Sequence, residues 1–316
     1  MADILQNKRK VYALGETVLD LVSNDGITFR AIPGGSVLNA SVSLGRMGVD
    51  VSLLSEFGAD KTGDLISNFL EKNHVTTEFC LRHSNSKTSL ALAFLDNNKN
   101  ASYSFYHDVP EAMPDIEIPA FCNDDILLFG SFYAVKPNRR QFLLKILQKA
   151  VEARSVIYYD LNIRAAHAAE MNALLPSFLN NISVATVVKG SDEDFFHLFG
   201  ITDPEAVYEK VKRFCPSLII TQGEKPLQIF TPSFSKTYAV QSIIPVSTVG
   251  AGDNFNAGFV FGLSKTAFDT KQFAKIQVTD MDQLVGCGLA FATETCLSVE
   301  NYIKGDFETD FWKKYI

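Results

Sequence analysis

The sequence predicts an α/β protein, with a mainly parallel central sheet covered by helices on both faces and a small β flap beside it. Three observations predict this. Short apolar runs rich in β-branched residues recur at 11–14, 49–56, 125–130, 156–160, 185–189 and 217–221. Most are continuous rather than alternating and end in polar or glycine residues, as strands covered on both faces do. Between them lie helical patterns, the clearest over 138–154, where Phe142, Leu143, Ile146, Leu147, Ala150 and Val151 share one stripe. Finally, 88–107 switches to period two through Leu90, Leu92, Phe94, Tyr103 and Phe105 around Asn97-Asn98-Lys99-Asn100, which reads as an antiparallel hairpin.

Taken in order, 11–14 is the first strand and 26–32 a short extended piece after it. Pro33-Gly34-Gly35-Ser36 reads as a turn feeding a helix that ends at Gly48, with Ser36 as N-cap and Asn39 in the first turn. No linker, repeat or low-complexity tract divides the chain, so 1–316 is expected to form one domain. In such sheets ligands gather outside the carboxyl ends of the strands.

Composition narrows the function classes. A hydrophobic content of 47% with 21% charged residues suits a globular chain of 316 residues. The 29 basic and 36 acidic side chains give a net charge of −7, and the one basic cluster is the short Lys8-Arg9-Lys10, so no nucleic-acid footprint is expected. Five scattered cysteines and five scattered histidines form neither a disulfide framework nor a zinc motif. No apolar stretch approaches the length of a membrane span or a signal-peptide core, so a cytoplasmic location is expected.

The segment that carries chemistry is Ser247-Thr248-Val249-Gly250-Ala251-Gly252-Asp253, which opens a helical pattern through Phe255, Phe259 and Leu263. Glycines let the backbone approach a ligand, and a helix N-terminus favours phosphate oxygens. A carboxylate beside an anion site would repel a phosphate that is merely bound. It makes sense as the acceptor of a proton from a hydroxyl attacking phosphorus. The competing reading is an ordinary helix-start acid. A dinucleotide fingerprint fails for want of a third glycine, and 58–63 has P-loop spacing but runs into Asp64 rather than Lys-Ser/Thr.

Gly34-Gly35, Asn39, Ser41, Gly48 and Gly58, with 247–253 and Ala257-Gly258-Phe259, resemble the two signatures of the ribokinase-like, or PfkB, carbohydrate kinase family over nearly the whole chain. Asp160-x-Asn162-x-Arg164 resembles fructokinase and 2-keto-3-deoxygluconate kinase segments about equally, whereas Ser102-Tyr103-Ser104-Phe105-Tyr106-His107 is more similar to the fructokinase segment. The resemblance implies a three-layer sandwich with a β lid formed by 21–33 and 87–108, and ATP-dependent phosphorylation of a sugar hydroxyl. It implies Asp253 as base and the N–H groups of Gly250, Ala251 and Gly252 as anion hole. Asp20, Gly34, Gly35, Asn39, Phe105 and Arg164 would meet the sugar, and Lys189, Thr221 and Gly223 the nucleotide. ATP and Mg2+ follow as partners, with K+ as a further candidate and a homodimer through the lid. Where the family carries N-x-x-E this chain reads Ser191-Asp192-Glu193-Asp194, which leaves the magnesium carboxylate open, and Ser247 replaces a common Asp. Fructose is the expected sugar, because His107 replaces an arginine suited to a substrate carboxylate. A 2-keto-3-deoxygluconate kinase, a ribokinase or adenosine kinase, and a non-catalytic sugar- or nucleotide-binding protein stay open.

Overall fold

The computed structural model describes residues 9–23, 25–95, 101–108, 110, 117–163 and 170–315. In chain order its strands are β1 (Val11–Leu14), β2 (Val18–Ser23), β3 (Arg30–Gly34), β4 (Val51–Gly58), β5 (Val75–Thr76), β6 (Cys80–His83), β7 (Lys87–Leu95) and β8 (Ala101–Asp108). Then come β9 (Ile126–Gly130), β10 (Val156–Asp160), β11 (Val187–Ser191), β12 (Leu218–Gln222), β13 (Lys225–Phe230) and β14 (Ser235–Tyr238). Helices are α1 (Ser36–Arg46), α2 (Lys61–Lys72), α3 (Arg140–Ala153), α4 (Met171–Val184), α5 (Asp192–Phe199), α6 (Pro204–Val211), α7 (Ala251–Ser264), α8 (Thr270–Phe273), α9 (Val278–Cys296) and α10 (Phe307–Tyr315).

The central sheet runs β14-β13-β12-β11-β10-β9-β1-β4-β5, with β6 also on β4, and is parallel except where β13 and β14 add antiparallel strands at one edge. Alternate residues feed two cores. Val11, Ala13, Ile126, Leu128 and Tyr158 pack with α1, α7 and α9 on one face. Tyr12, Leu14, Leu127, Phe129 and Tyr159 pack with α3, α4 and α5 on the other. This is why the strand sequences are apolar without alternation. Strand β1 lies between β4 and β9, so chain connections leave it in both directions and a crevice opens at its carboxyl end.

The predicted hairpin exists as β7 and β8, and its turn at 96–100 lies outside the described residues. The small sheet is larger than a hairpin: its order is β3-β2-β7-β8, with β2 and β7 parallel and both outer pairings antiparallel. Its first half differs from the expected 21–33. Asp20 belongs to a strand rather than a loop, because Val18, Leu19 and Leu21 find partners in β3 and β7. Pro33 and Gly34 end β3 rather than forming a turn, and Gly35, at φ 125°, caps α1 while Ser36 is its first helical residue. Among the described residues no helix is long and apolar enough to cross a membrane.

Candidate active site

A cavity of about 670 Å³ opens at the carboxyl ends of β1, β9 and β10. The body contributes Glu16, Asn39, Lys136, Asp160, Lys189 and the turn before α7, and the small sheet contributes Val18, Asp20, Phe105 and His107.

At its centre the two distant glycine segments meet. The Ser36 hydroxyl donates to Asp253 Oδ1 at 2.7 Å, and Asn39 Nδ2 donates to Oδ2 at 2.8 Å. A carboxylate only accepts, so this fixes the Asn39 amide with its nitrogen toward Asp253. Its buried Oδ1 has no protein partner and is left for a donor. Enclosure pushes the Asp253 carboxyl above the usual carboxylate range, against the pull of Ser36, Asn39 and Lys189.

The turn before α7 is braced from behind. Asn254 Nδ2 donates to the carbonyls of Gly250 and Asn301 at 2.8 Å each, and the Ser43 hydroxyl on α1 donates to Asn254 Oδ1. Gly250 sits at φ 80°, where a Cβ would stand 2.5 Å from the Asn301 carbonyl oxygen. The Ala251 N–H is drawn 3.3 Å to the Thr248 carbonyl. Among the described residues no carbonyl faces the N–H groups of Gly252 and Asp253, the donors of a helix start that suit an anion.

Beneath this turn Lys189 Nζ lies 3.1 Å from Asp160 Oδ1, and Asn256 Nδ2 donates to Asp160 Oδ2 at 2.7 Å. At the opposite wall Lys136 Nζ donates to Glu16 Oε1 at 2.6 Å. His107 stacks parallel to Phe105 with centroids 5.8 Å apart and meets the Ser89 hydroxyl at 3.2 Å. Burial holds the His107 imidazole below its usual range, although Glu16 pulls the other way.

Of the residues singled out from sequence, Asp20, Gly35, Asn39, Phe105, Lys189, Gly250, Gly252 and Asp253 line the cavity. Gly34 and Ala251 are not among its lining residues. Gly34 leaves room for Asp20, whose Oδ2 would sit 2.2 Å from a Cβ there. Thr221 is the penultimate residue of β12 and Gly223 turns toward β13 at φ 63°, both outside the cavity lining. Arg164 lies outside the described residues, just past Asn162, which lines the cavity at φ 40°. From sequence Ser36 reads as a cap, and its bond to Asp253 carries no local signal. Lys136 and Asn256 likewise stand out only in the folded site.

The last carboxylate of Ser191-Asp192-Glu193-Asp194 is committed elsewhere. Asp194 Oδ1 accepts from the Ile163 N–H and Oδ2 from the Ser191 N–H, both at 2.6 Å, forming a capping box that also pins the turn carrying Asn162. Among the described residues no group of three acids, histidines or cysteines could hold a metal ion. Mg2+ takes few protein ligands when phosphates and water supply the rest, so a nucleotide-borne ion needs no such cage.

A three-layer α/β body with a carboxylate set into a glycine-rich helix start, facing a cavity at the strand ends, defines a small-molecule kinase of the ribokinase-like class. The chain belongs to the pfkB family of carbohydrate kinases, whose model matches residues 8–300. It is 24% identical to the fructokinase of Vibrio alginolyticus, across 90% of this chain and 93% of that one. It is 26% identical to probable fructokinase-4 of Arabidopsis thaliana, across 78% and 80%. In structure it resembles a double mutant of the Vibrio cholerae O395 fructokinase bound to fructose, ADP and potassium, with a TM-score of 0.81, 21% identity and coverage of 93% and 94%. The aminoimidazole riboside kinase of Salmonella enterica, bound to its riboside and an ATP analogue, matches at a TM-score of 0.82 with 18% identity, covering 96% and 99%. At these identities the structural likeness speaks for the fold.

Proposed function

We propose that this sugar kinase is a fructokinase that uses Asp253 as its general base. The observation that carries the reading is the Asp253 carboxylate, held on both oxygens by Ser36 and Asn39 beside an open helix N-terminus. Asp253 takes the proton of a sugar hydroxyl as that oxygen bonds to the γ-phosphorus of ATP. The bond from that phosphorus to the bridging oxygen breaks, and ADP leaves. The N–H groups of Gly250, Ala251 and Gly252 form the anion hole for the transferring group, and among the described residues that of Gly252 has no backbone carbonyl opposite it. Asp20, Gly35 and Asn39 bind sugar hydroxyls, and Phe105 forms an apolar wall. Arg164 adds a cation that meets the sugar. Lys189, Thr221 and Gly223 border the nucleotide, which brings Mg2+. The small sheet acts as the lid that excludes water, the competing phosphoryl acceptor.

Support for a neutral sugar comes from the wall opposite the base. Lys136 could receive a substrate carboxylate, but Glu16 already occupies it at 2.6 Å and His107 is held toward neutrality. An acid sugar would face a satisfied ion pair. The relatives named as fructokinases point the same way.

A coupled assay with ATP over fructose, ribose, glucose, adenosine and 2-keto-3-deoxygluconate tests this. Fructose should exceed every other acceptor in kcat/KM by about tenfold or more. Preference for 2-keto-3-deoxygluconate or a nucleoside would overturn the fructose reading, and binding of ATP and sugar without transfer would make the chain a binding protein. Glu16→Gln should release Lys136 and raise kcat/KM for 2-keto-3-deoxygluconate relative to fructose by about tenfold, since the unmasked ammonium then meets the carboxylate. An unchanged ratio would remove the ion pair from the argument.

A further inference from the structure

Beneath the glycine turn lies a buried cation that sugar binding does not require. Lys189 is 5% exposed and still lines the cavity. A Cβ placed on Gly252 would stand 3.3 Å from its Nζ, so the ammonium rests against the first turn of α7. Its position is fixed by a chain of contacts. Asp160 Oδ1 lies 3.1 Å from Nζ, Asn256 Nδ2 donates to Asp160 Oδ2 at 2.7 Å, and the Tyr158 hydroxyl donates to Asn256 Oδ1 at 3.0 Å. Burying an ion pair costs desolvation, and an apolar pair of the same size would serve packing as well or better. A charge kept under a helix start with open N–H donors is better explained by what binds above it.

We propose that Asp160 is a positioning residue that acts through Lys189, fixing the ammonium as the charge on which the anion hole for the transferring phosphoryl group is built. This rests on the reading of the chain as an ATP-dependent sugar kinase with Asp253 as base. Burial works to lower the Lys189 pKa, but Asp160 on β10, Asp194 on α5 and Asp253 on α7 outweigh it, so the side chain stays charged. The same ammonium favours an ionised Asp253, whereas Asp160 opposes it, and Ser36 and Asn39 supply its hydrogen bonds. The two members of the pair therefore pull the base in opposite directions.

The test uses the full chain and three variants, Lys189→Met, Asp160→Asn and the double substitution, which keeps the volume and removes both charges. The pH dependence of kcat with fructose and ATP is measured, with the affinities for ADP and adenylyl imidodiphosphate. Lys189→Met should lower kcat by about 100-fold, as loss of one anion-hole group does, and move the acid limb to higher pH. Asp160→Asn should move that limb to lower pH while leaving the fructose KM within about threefold. Both variants should lose preference for the imidodiphosphate over ADP, Lys189→Met the more. Should a single variant fail to fold, the double variant decides the matter. It should melt like wild type, transfer phosphate about 100-fold more slowly and bind the two nucleotides alike. Coincident acid limbs, limbs that move the same way, or a double variant with wild-type turnover would overturn the proposal. A wild type that phosphorylates no sugar in the panel would overturn the kinase reading itself, whatever the variants do.

Discussion

Asp253→Asn should cut kcat by about 10³- to 10⁴-fold, while the melting temperature stays within a few degrees of wild type. The loss follows from chemistry: an amide cannot take the sugar proton. The preserved fold follows from the surroundings. Ser36 can turn its hydroxyl, and Asn39 can flip its amide so that Oδ1, unpaired in the present arrangement, accepts from the new Nδ2. The ionisation argument has the same sign. Enclosure raises the Asp253 pKa, so the folded protein binds this proton more tightly than the unfolded chain does. Its contribution to stability grows as pH falls through the folded pKa and is lost above it, where the carboxylate is ionised. At neutral pH the asparagine removes an enclosed charge rather than a favourable one. Wild-type kcat should fall on the acid side above the pH of an ordinary carboxylate, and the residual rate of the variant should lack that limb. A variant with near-normal rate, or one that keeps the limb, would exclude Asp253 as the base.

The parts of this fold that were legible in the sequence are those in which a local pattern coincides with a global role. Runs such as Val156–Asp160 are apolar throughout because both faces are covered, so they read as strands, and their polar ends mark the cavity. The two glycine segments were legible because backbone approach restricts residue choice more severely than packing does. Strand β2 was not. Val18–Ser23 interleaves a cavity-lining Asp20 with Val18, Leu19 and Leu21, and its sheet partners lie in β3 and β7, the latter some 70 residues away. Cap geometry failed for a related reason. Ser after Gly-Gly has the composition of an N-cap, but Gly35 takes the capping conformation and frees the Ser36 hydroxyl for Asp253. Pairings across long separations, such as Glu16 with Lys136 or Asp160 with Asn256, leave no periodic trace, because each half alone looks like a loop residue or a helix residue.

Gly35→Ala should damage stability and activity together. Gly35 sits at φ 125° and ψ 136°, a region that essentially only glycine enters. Space is also lacking: a Cβ there would lie 2.2 Å from the backbone carbonyl oxygen of Glu16, and a backbone atom cannot swing aside as a side-chain tip can. Relief requires α1 to back away from the segment after β1, carrying Ser36 and Asn39 off the Asp253 oxygens. Strain and overlap together should cost on the order of 3 kcal/mol in urea unfolding. Displacement of the base's two donors by about 1 Å should lower kcat by about 100-fold. Gly48→Ala provides the comparison. Gly48 has φ 70°, but no atom lies within 4 Å of its added Cβ, so only the left-handed strain of about 1 kcal/mol applies and turnover should be unaffected. If the two variants unfold at the same urea concentration and turn over alike, the close approach of Gly35 to Glu16 does not hold the site together. If Gly35→Ala alone loses both, one backbone contact sets the position of the helix that orients the base, and the amino-terminal glycines serve the reaction by placing α1 as well as by admitting a ligand.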